Sequence, residues 1–524
     1  MTMRGSGTTK ESKANIKNGM IRLVFTAVAV LLEVVLMLGM FLTGLGRYAE
    51  VIAVVSRILA LLLVLGICSQ NKTASIKMTW ITLILAIPAF GVFLYILIGF
   101  SGSTAKMRKR FEKMDAILMP HLVQDAEIKD ELWETVPSCF GISRYILEES
   151  GYPLYRNEGV VYYSEASEAL EAQKQAMRQA ESFIFMEYFA VEDAESWMEI
   201  QDILADKVKQ GVEVRVFYDD IGSSVFVNKD FARKLEGLGI RCRIFNPMIP
   251  VFNLFLNNRD HRKMTIIDGK IGFTGGYNIA NEYFNVTSPY GHWKDAGVRL
   301  TGDVVRAMTV AYLEMWNAVR SDDSDDNQFA FYLSDNPVNN TKKGFVQFYT
   351  DNPVDKKPVG EDVYLSLISQ AKKYLYIMTP YLIITDEMSR MIGLAAKRGV
   401  DVRIITPGIP DKKIIYKLTR SYYARLVFDG VRIYEYTPGF CHAKLCVTDD
   451  IAATCGTINM DYRSLYHHFE DGCLMIGCDT VAAIKSDFDQ TLPVCREVTD
   501  QYRSGRSAVL RFGQLVLRLL APLM

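Results

Sequence analysis

The chain has no basic excess. Across 524 residues, Lys and Arg number 59 against 60 acidic residues, and this balance argues against a dedicated nucleic-acid binder, which carries a strongly cationic face. No C-x-x-C pair occurs among the nine cysteines, scattered from Cys68 to Cys495. Odd in number and irregularly spaced, they read as free thiols of a reducing compartment, not as a disulfide framework or a zinc site. None of the usual nucleotide motifs is present. At this length there is room for two or three domains.

Charge is also nearly missing from three stretches near the N-terminus, 21–42, 51–68 and 78–100. Each approaches the length that crosses a hydrocarbon core as a helix, and the first lacks the cleavage-site character of a signal peptide. They account for a mean hydropathy slightly above zero. Glu33 and Arg57 each fall near the middle of a segment. A lone charge at that depth costs at least ~2.5 kcal/mol, so the two are expected to pair across a hairpin. Lys106, Arg108, Lys109, Arg110 and Lys113 crowd the exit of the third stretch, which places the remainder of the chain on the cytosolic side. The tail 1–20 is basic too, with Arg4, Lys10, Lys13 and Lys17. Basic flanks on one side require an even number of crossings, whereas three stretches are present; two or three crossings both stay open.

What the chain does have is one pattern written twice. His261-Arg262-Lys263, four residues, Asp268, six residues, Gly275-Gly276 is matched by His442-Ala443-Lys444, four residues, Asp449, six residues, Gly456-Thr457. Asn278 and Asn459 follow at the same offset. Metal-free phosphodiester chemistry needs a nucleophile, an acid and fixed positive charge, and two His with two Lys supply these if the copies meet in space.

The surroundings of the pattern repeat as well. A helical run at 165–181, a strand from Phe183, a helix at about 194–210 ending at Gly211 and a strand from Val212 recur as a helix at 360–373, a strand from Tyr374, a helix at 387–398 and a strand after Gly399. Glycine at a helix end before a β-branched run is the usual helix-to-strand exit. The alternation predicts an α/β sandwich in each half. The boundaries expected are a juxtamembrane linker at 101–140, a first half at 141–320, a solvated linker at 321–344, where acidic and polar residues concentrate, and a second half at 345–500. Each His-x-Lys is expected on a strand, so that both side chains leave the same side of the sheet. Asp268 and Asp449, at the opposite parity, are expected to point away and hold a turn. In 501–524 the polar residues Ser507, Arg511, Gln514 and Arg518 recur at helical spacing among Leu, Val and Phe, an amphipathic helix for either an anionic membrane surface or the body's own core. The basic-aromatic stretch from Lys412 to Arg425 reads equally as a lipid-headgroup contact or a solvated helix face. His121 and His292, outside the pattern, read as structural or surface residues.

The doubled pattern with its Asn resembles the phospholipase D superfamily and, within it, the bacterial cardiolipin synthases. Asn258-Arg-Asp-His-Arg-Lys-Met, Gly272-Phe-Thr-Gly-Gly-Tyr-Asn, Trp293-Lys-Asp295 and Tyr434-Glu-Tyr-Thr-Pro-Gly-Phe-Cys-His-Ala-Lys carry the likeness. It implies two phospholipase D-like α/β halves related by a pseudo-twofold axis, preceded by transmembrane helices, in a multi-pass cell-membrane protein with a cytoplasmic catalytic body. It implies a catalytic set of His261, Lys263, Asp268, His442, Lys444 and Asp449. Asn278 and Asn459 would bind the phosphate, Asp295 and Glu470 would support the imidazoles, and no metal or cofactor would be needed. In the family the N-terminal His generally attacks phosphorus, which makes His261 the nucleophile and His442 the acid and then the base; the residues alone leave this order open.

The implied reaction joins two phosphatidylglycerol molecules into cardiolipin and releases glycerol, with anionic membrane lipids as surroundings. A hydrolase, or a transferase to another alcohol, is the alternative. Gly276 stands where many members have Ser or Thr, which removes one hydroxyl donor. His467-His468 precede Glu470 where Asn is frequent, and their role stays open.

Overall fold

The structure is a computed structural model and describes residues 49–96, 102–228, 230–247, 258–320, 325, 327–334, 341–355, 357–503 and 517–523. Short apolar strands alternate with helices in both halves. Ala166–Arg178 precedes the strand Phe183–Tyr188, and Glu195–Lys209 precedes Glu213–Asp219. Val359–Gln370, Tyr374–Met378, Asp386–Lys397 and Asp401–Pro407 repeat this order. Gly211 and Gly399 end the second helix of each half at φ of 89° and 92°, which only glycine adopts without strain.

The first half forms a seven-stranded sheet in the order Val161–Tyr163, Gly297–Thr301, Ile271–Gly275, Lys263–Ile267, Phe183–Tyr188, Glu213–Asp219, Arg241–Phe245. The second repeats the arrangement as Phe345–Asp351, His468–Ile476, Ala452–Gly456, Leu445–Thr448, Tyr374–Met378, Asp401–Pro407 and Arg432–Tyr436, with short strands added at both edges. Alternation along Phe183–Tyr188 divides its side chains between two cores. Ile184, Met186 and Tyr188 pack under the two helices of the first half. Phe183 and Phe185 enter a core that also holds Leu445, Val447 and Leu474 of the second half. The helix Val304–Val319, almost wholly buried, lies in that shared core.

Arg262, between His261 and Lys263, turns to the face that Glu187 shares with Phe183 and Phe185. Its Nε lies 2.8 Å from Glu187 and 3.6 Å from Asp260, and a guanidinium N–H donates to Ala311 O at 3.4 Å. Arg262 and Glu187 are both essentially inaccessible. Burial pushes Glu187 well above the ordinary carboxylate range, and Arg262 works against that. Removing one partner of a buried ion pair costs about 3–5 kcal/mol. Arg262→Met is expected to lower stability by about that much, and adding Glu187→Gln to recover part of it; denaturation midpoints in detergent test this, and equal midpoints for single and double variants would refute it.

Three expectations are corrected. The stretch 78–100 is not one helix: Ala74–Ala86 ends at Ile87, and Pro88–Leu94 starts anew at Pro88, where a proline has no N–H to continue the ladder. The stretch 51–68 lies in the helix Ala49–Cys68. Among the described residues no helix is long and apolar enough to cross a membrane. Both 21–42 and Glu33 lie outside the described residues, as does most of the 501–524 helix. Among the described residues of the linker 321–344, Asp325, Phe329 and Tyr332 are buried and not solvated, and Asp325 binds Arg215 at 2.6 and 3.0 Å. Neutralising a buried Arg215 is the physical reason. The basic exit cluster is partly used by the body, with Arg108 Nε donating to Val354 O at 2.7 Å. His121 is exposed, and the partly exposed His292 meets Tyr436 Oη at 3.0 Å through Nδ1.

Candidate active site

Two short strand pairings made between the halves build the site. Arg259–Asp260 runs parallel to the start of His468–Ile476, with Arg259 opposite His468 and Asp260 opposite Phe469. In the pseudo-symmetric place, Gly439–Cys441 runs parallel to His292–Lys294. Each motif His is thereby bonded to the other half: His261 N donates to Phe469 O at 2.9 Å and His442 N to Lys294 O at 2.7 Å. This corrects the placement of His-x-Lys within a strand. The strands begin at Lys263 and Leu445, because the backbone just before them is turned toward the opposite half. Arg259 fixes the first crossing through Asp219, at 2.8 Å from Nε and 2.7 Å from a terminal nitrogen. Lys294 fixes the second through Asp487 at 2.8 Å.

The crossing exchanges the carboxylates. His261 Nδ1 meets both oxygens of Glu470 at 2.9 Å, and His442 Nδ1 meets Asp295 Oδ2 at 2.6 Å. Each imidazole is thus oriented by an acid from the other copy. Strand register identifies the two acids as equivalents: Gly297 pairs with Gly275 and Gly472 with Gly456, and each acid stands two residues before its glycine. Both His and both acids are buried. With Nδ1 held by the acid, Nε2 is the nitrogen left for chemistry on His261, and on His442 Nε2 has only Lys444 Nζ beside it, at 3.0 Å.

Gly276 and Thr457 suit these acids. A Cβ on Gly276 would stand 2.0 Å from Asp295 Oδ1, so only glycine admits the shorter acid there. At the equivalent place the Thr457 hydroxyl donates to Glu470 and accepts from Asp471 N at 2.9 Å. The hydroxyl expected on phosphate is therefore spent on a carboxylate.

The lysines carry the charge. Lys263 Nζ donates to His261 O at 2.7 Å. Lys444 Nζ lies 2.7 and 3.0 Å from the two ring nitrogens of His442 and also donates to His442 O. Burial is the main cause that brings Lys263 down to about 8 and Lys444 to about 7. Burial and then Lys263 hold His261 well below the ordinary imidazole range. Burial and Lys444 bring His442 to about 4, with Asp295 pulling the other way. The two acids differ. Burial acts to raise Asp295, but His442 and Lys444 overcome it and keep the group below the usual carboxylate range. Burial carries Glu470 well above that range, against Lys263 and the Thr457 hydroxyl. Burial and the lysines hold both rings on the neutral side, and at His442 the anionic Asp295 offsets part of this.

Asn278 lies in the first half of the site, its Oδ1 accepting from Ala190 N at 3.1 Å and its Nδ2 donating to Tyr283 Oη at 2.7 Å; one amide N–H is left. Asn459 Oδ1 is buried without a partner among the described residues. Asp268 takes three backbone N–H groups, from Glu181, Ser182 and Phe183, at 2.7–2.9 Å. Asp449 does the same for Lys372, Lys373 and Tyr374. Both sit at the far end of their strands, at positive φ, and hold backbone.

Sequence reasoning did not find the aromatic collar. Phe189 stands edge-on to His261 at 4.9 Å, and Tyr283, Trp293 and Phe440 surround His442 at 5.3, 5.2 and 5.8 Å. Its only signal was aromatic residues next to the strand ends. His261, His468 and Glu470 bring ligand atoms within 4.8 Å of one another and could hold a metal ion; the neighbouring Lys263 charge opposes a cation there.

Two buried imidazoles, each with a carboxylate behind it and a lysine beside it, form an arrangement suited to phosphoryl transfer of the phospholipase D class. Residues 174–288 and 364–492 match the family described as cardiolipin synthase, PLD-like domain. An uncharacterized protein of Streptococcus mutans is 41% identical over 456 residues, covering 87% of this chain and 98% of that protein. A cardiolipin synthase of Alkalihalophilus pseudofirmus is 31% identical over 462 residues, 87% of this chain and 90% of that one. The solved phosphatidylserine synthase of Haemophilus influenzae aligns with a TM-score of 0.52 at 16% identity, over 73% of this chain and 97% of that one, which shows a shared fold. The chain belongs to the cardiolipin synthase, phospholipase D-like family, and is a phosphatidyltransferase of that superfamily.

Proposed function

We propose that the enzyme makes cardiolipin from two molecules of phosphatidylglycerol, and that the two halves, 141–320 and 345–500, share one active site. The crossed pairing of His261 with Glu470 and His442 with Asp295 carries this reading. His261 Nε2 attacks the donor phosphorus, the P–O bond to the headgroup glycerol breaks, and His442 gives its proton to the leaving alkoxide. In the second step His442 takes the proton of the acceptor's glycerol hydroxyl, the new P–O bond forms, and the bond to His261 breaks. This order is supported by Asp295, which stays anionic and raises the proton affinity of His442, the ring that must carry the proton in transfer to the leaving alkoxide. Lys263, Lys444, Asn278 and Asn459 hold the phosphate oxygens as charge shifts. Asp268 and Asp449 support them by latching the strands.

Water is the competitor that would turn transfer into hydrolysis. The collar of Phe189, Tyr283, Trp293 and Phe440 supports its exclusion. Membrane association is supported by exposed apolar side chains on neighbouring helices, among them Val54, Ile58, Leu61, Leu65 and Met78, each 54–62% exposed; a face of this kind marks an interaction site. Membranes containing the enzyme are expected to convert phosphatidylglycerol into cardiolipin and glycerol in equal amounts. Phosphatidic acid as the main product would assign a hydrolase instead.

A further inference from the structure

A third imidazole stands beside His261, and the chemistry above does not use it. His468 is 8% exposed, and its ring centroid lies 5.4 Å from that of His261. Its Nδ1 is 3.6 Å from Glu470 Oε1, beyond hydrogen-bond reach, and neither ring nitrogen has a hydrogen-bond partner among the described residues. A buried polar group left unpaired carries a desolvation cost that a ligand would recover.

The charges around it select the ligand. Arg463, on the short helix Tyr462–Tyr466, is exposed, and its guanidinium has no ion pair within 4 Å among the described residues. Arg259 and Lys263 approach from the motif side. Glu470, Asp219, which already pairs with Arg259, and, beside Arg463, Asp461 are the opposing acids. Burial first, then Arg463, His467, Arg259 and Lys263, hold His468 well below the ordinary imidazole range. Burial disfavours any charge, but the cationic neighbours that repel a proton attract an anion, and the exposed Arg463 gives it a solvated approach.

We propose that His468 and Arg463 form a subsite for the phosphodiester of the second, acceptor phospholipid. The proposal rests on the cardiolipin synthase reading and supplies what that reading lacks. The acceptor carries its own negative charge one glycerol away from the hydroxyl that reacts. A cationic contact one shell outside the reacting phosphate therefore distinguishes a lipid acceptor from water or a free alcohol. The acceptor's phosphodiester is held and not broken; the only bonds that change are those at the donor phosphorus and the acceptor O–H.

The full-length enzyme in mixed micelles, given phosphatidylglycerol and radiolabelled glycerol, forms two products from one phosphatidyl-enzyme. Cardiolipin arises from the charged lipid acceptor and labelled phosphatidylglycerol from the uncharged one. Arg463→Gln and His468→Asn are each expected to lower the ratio of cardiolipin to labelled phosphatidylglycerol tenfold or more, and Arg463→Lys to restore most of it. Both products falling together would assign the pair to the reacting centre, and an unchanged ratio would leave the acceptor unassisted; either result overturns the proposal. Wild-type enzyme that exchanges glycerol but forms no cardiolipin would overturn the synthase reading itself.

Discussion

His261→Ala abolishes phosphatidyl transfer, by roughly four orders of magnitude or more, because the covalent route is lost with its nucleophile. His442→Ala loses about 10²–10⁴-fold on phosphatidylglycerol, the usual range for a missing general acid–base, but keeps the nucleophile. A phospholipid bearing p-nitrophenol as its headgroup needs no acid to depart. On that substrate His442→Ala is expected to release one equivalent of nitrophenol and stop, since no base activates the acceptor. Mass spectrometry then finds the phosphatidyl group on the peptide containing His261. The adduct found on His442 in the His261→Ala enzyme would reverse the assignment, and with it the argument from the two carboxylates.

The second large effect comes from adding atoms at Gly276. In Gly276→Ser the new Cβ would stand 2.0 Å from Asp295 Oδ1 and 2.9 Å from its Cγ. Asp295 is tied on both sides, with Oδ1 accepting from Ala296 N at 2.9 Å and Oδ2 on His442. It cannot yield without releasing His442. Losing the group that orients a reactive His typically costs 10–100-fold, and turnover is expected to fall by about 100-fold with little change in the apparent KM. Thr457→Gly removes a hydrogen bond to Glu470 without a clash and is expected to cost about tenfold. Wild-type turnover in Gly276→Ser would show that Asp295 does not orient His442.

Periodicity and spacing made much of this legible. The helix–strand repeats were readable because amphipathic helices and β-branched strands leave local signals, and the strand from Tyr374 ends where its apolar run ends, at Met378. The doubled motif located both imidazoles. Spacing could not tell that Glu470 serves His261 and not His442, since distance along the chain says nothing about which half a strand end crosses into. Arg262 looked like filler between two functional residues, whereas it is buried against Glu187. Asp325 looked like part of a solvated acidic run until its partner Arg215 came into view. Proline at 88 was the one clear local signal that hydropathy overrode. Gly276 and Thr457 became readable only together with the lengths of the acids they face.

The exchange of carboxylates has a consequence for how the enzyme comes into being. Glu470 lies 209 residues after His261, and Asp295 lies 147 residues before His442. While the chain is being made, His261 waits without the acid that orients it until nearly all the second half exists. A truncated or half-folded product holds a complete His-x-Lys sequence and no working imidazole. An enzyme that exchanges phospholipid phosphodiesters is thus armed last, by the same contacts that complete its fold.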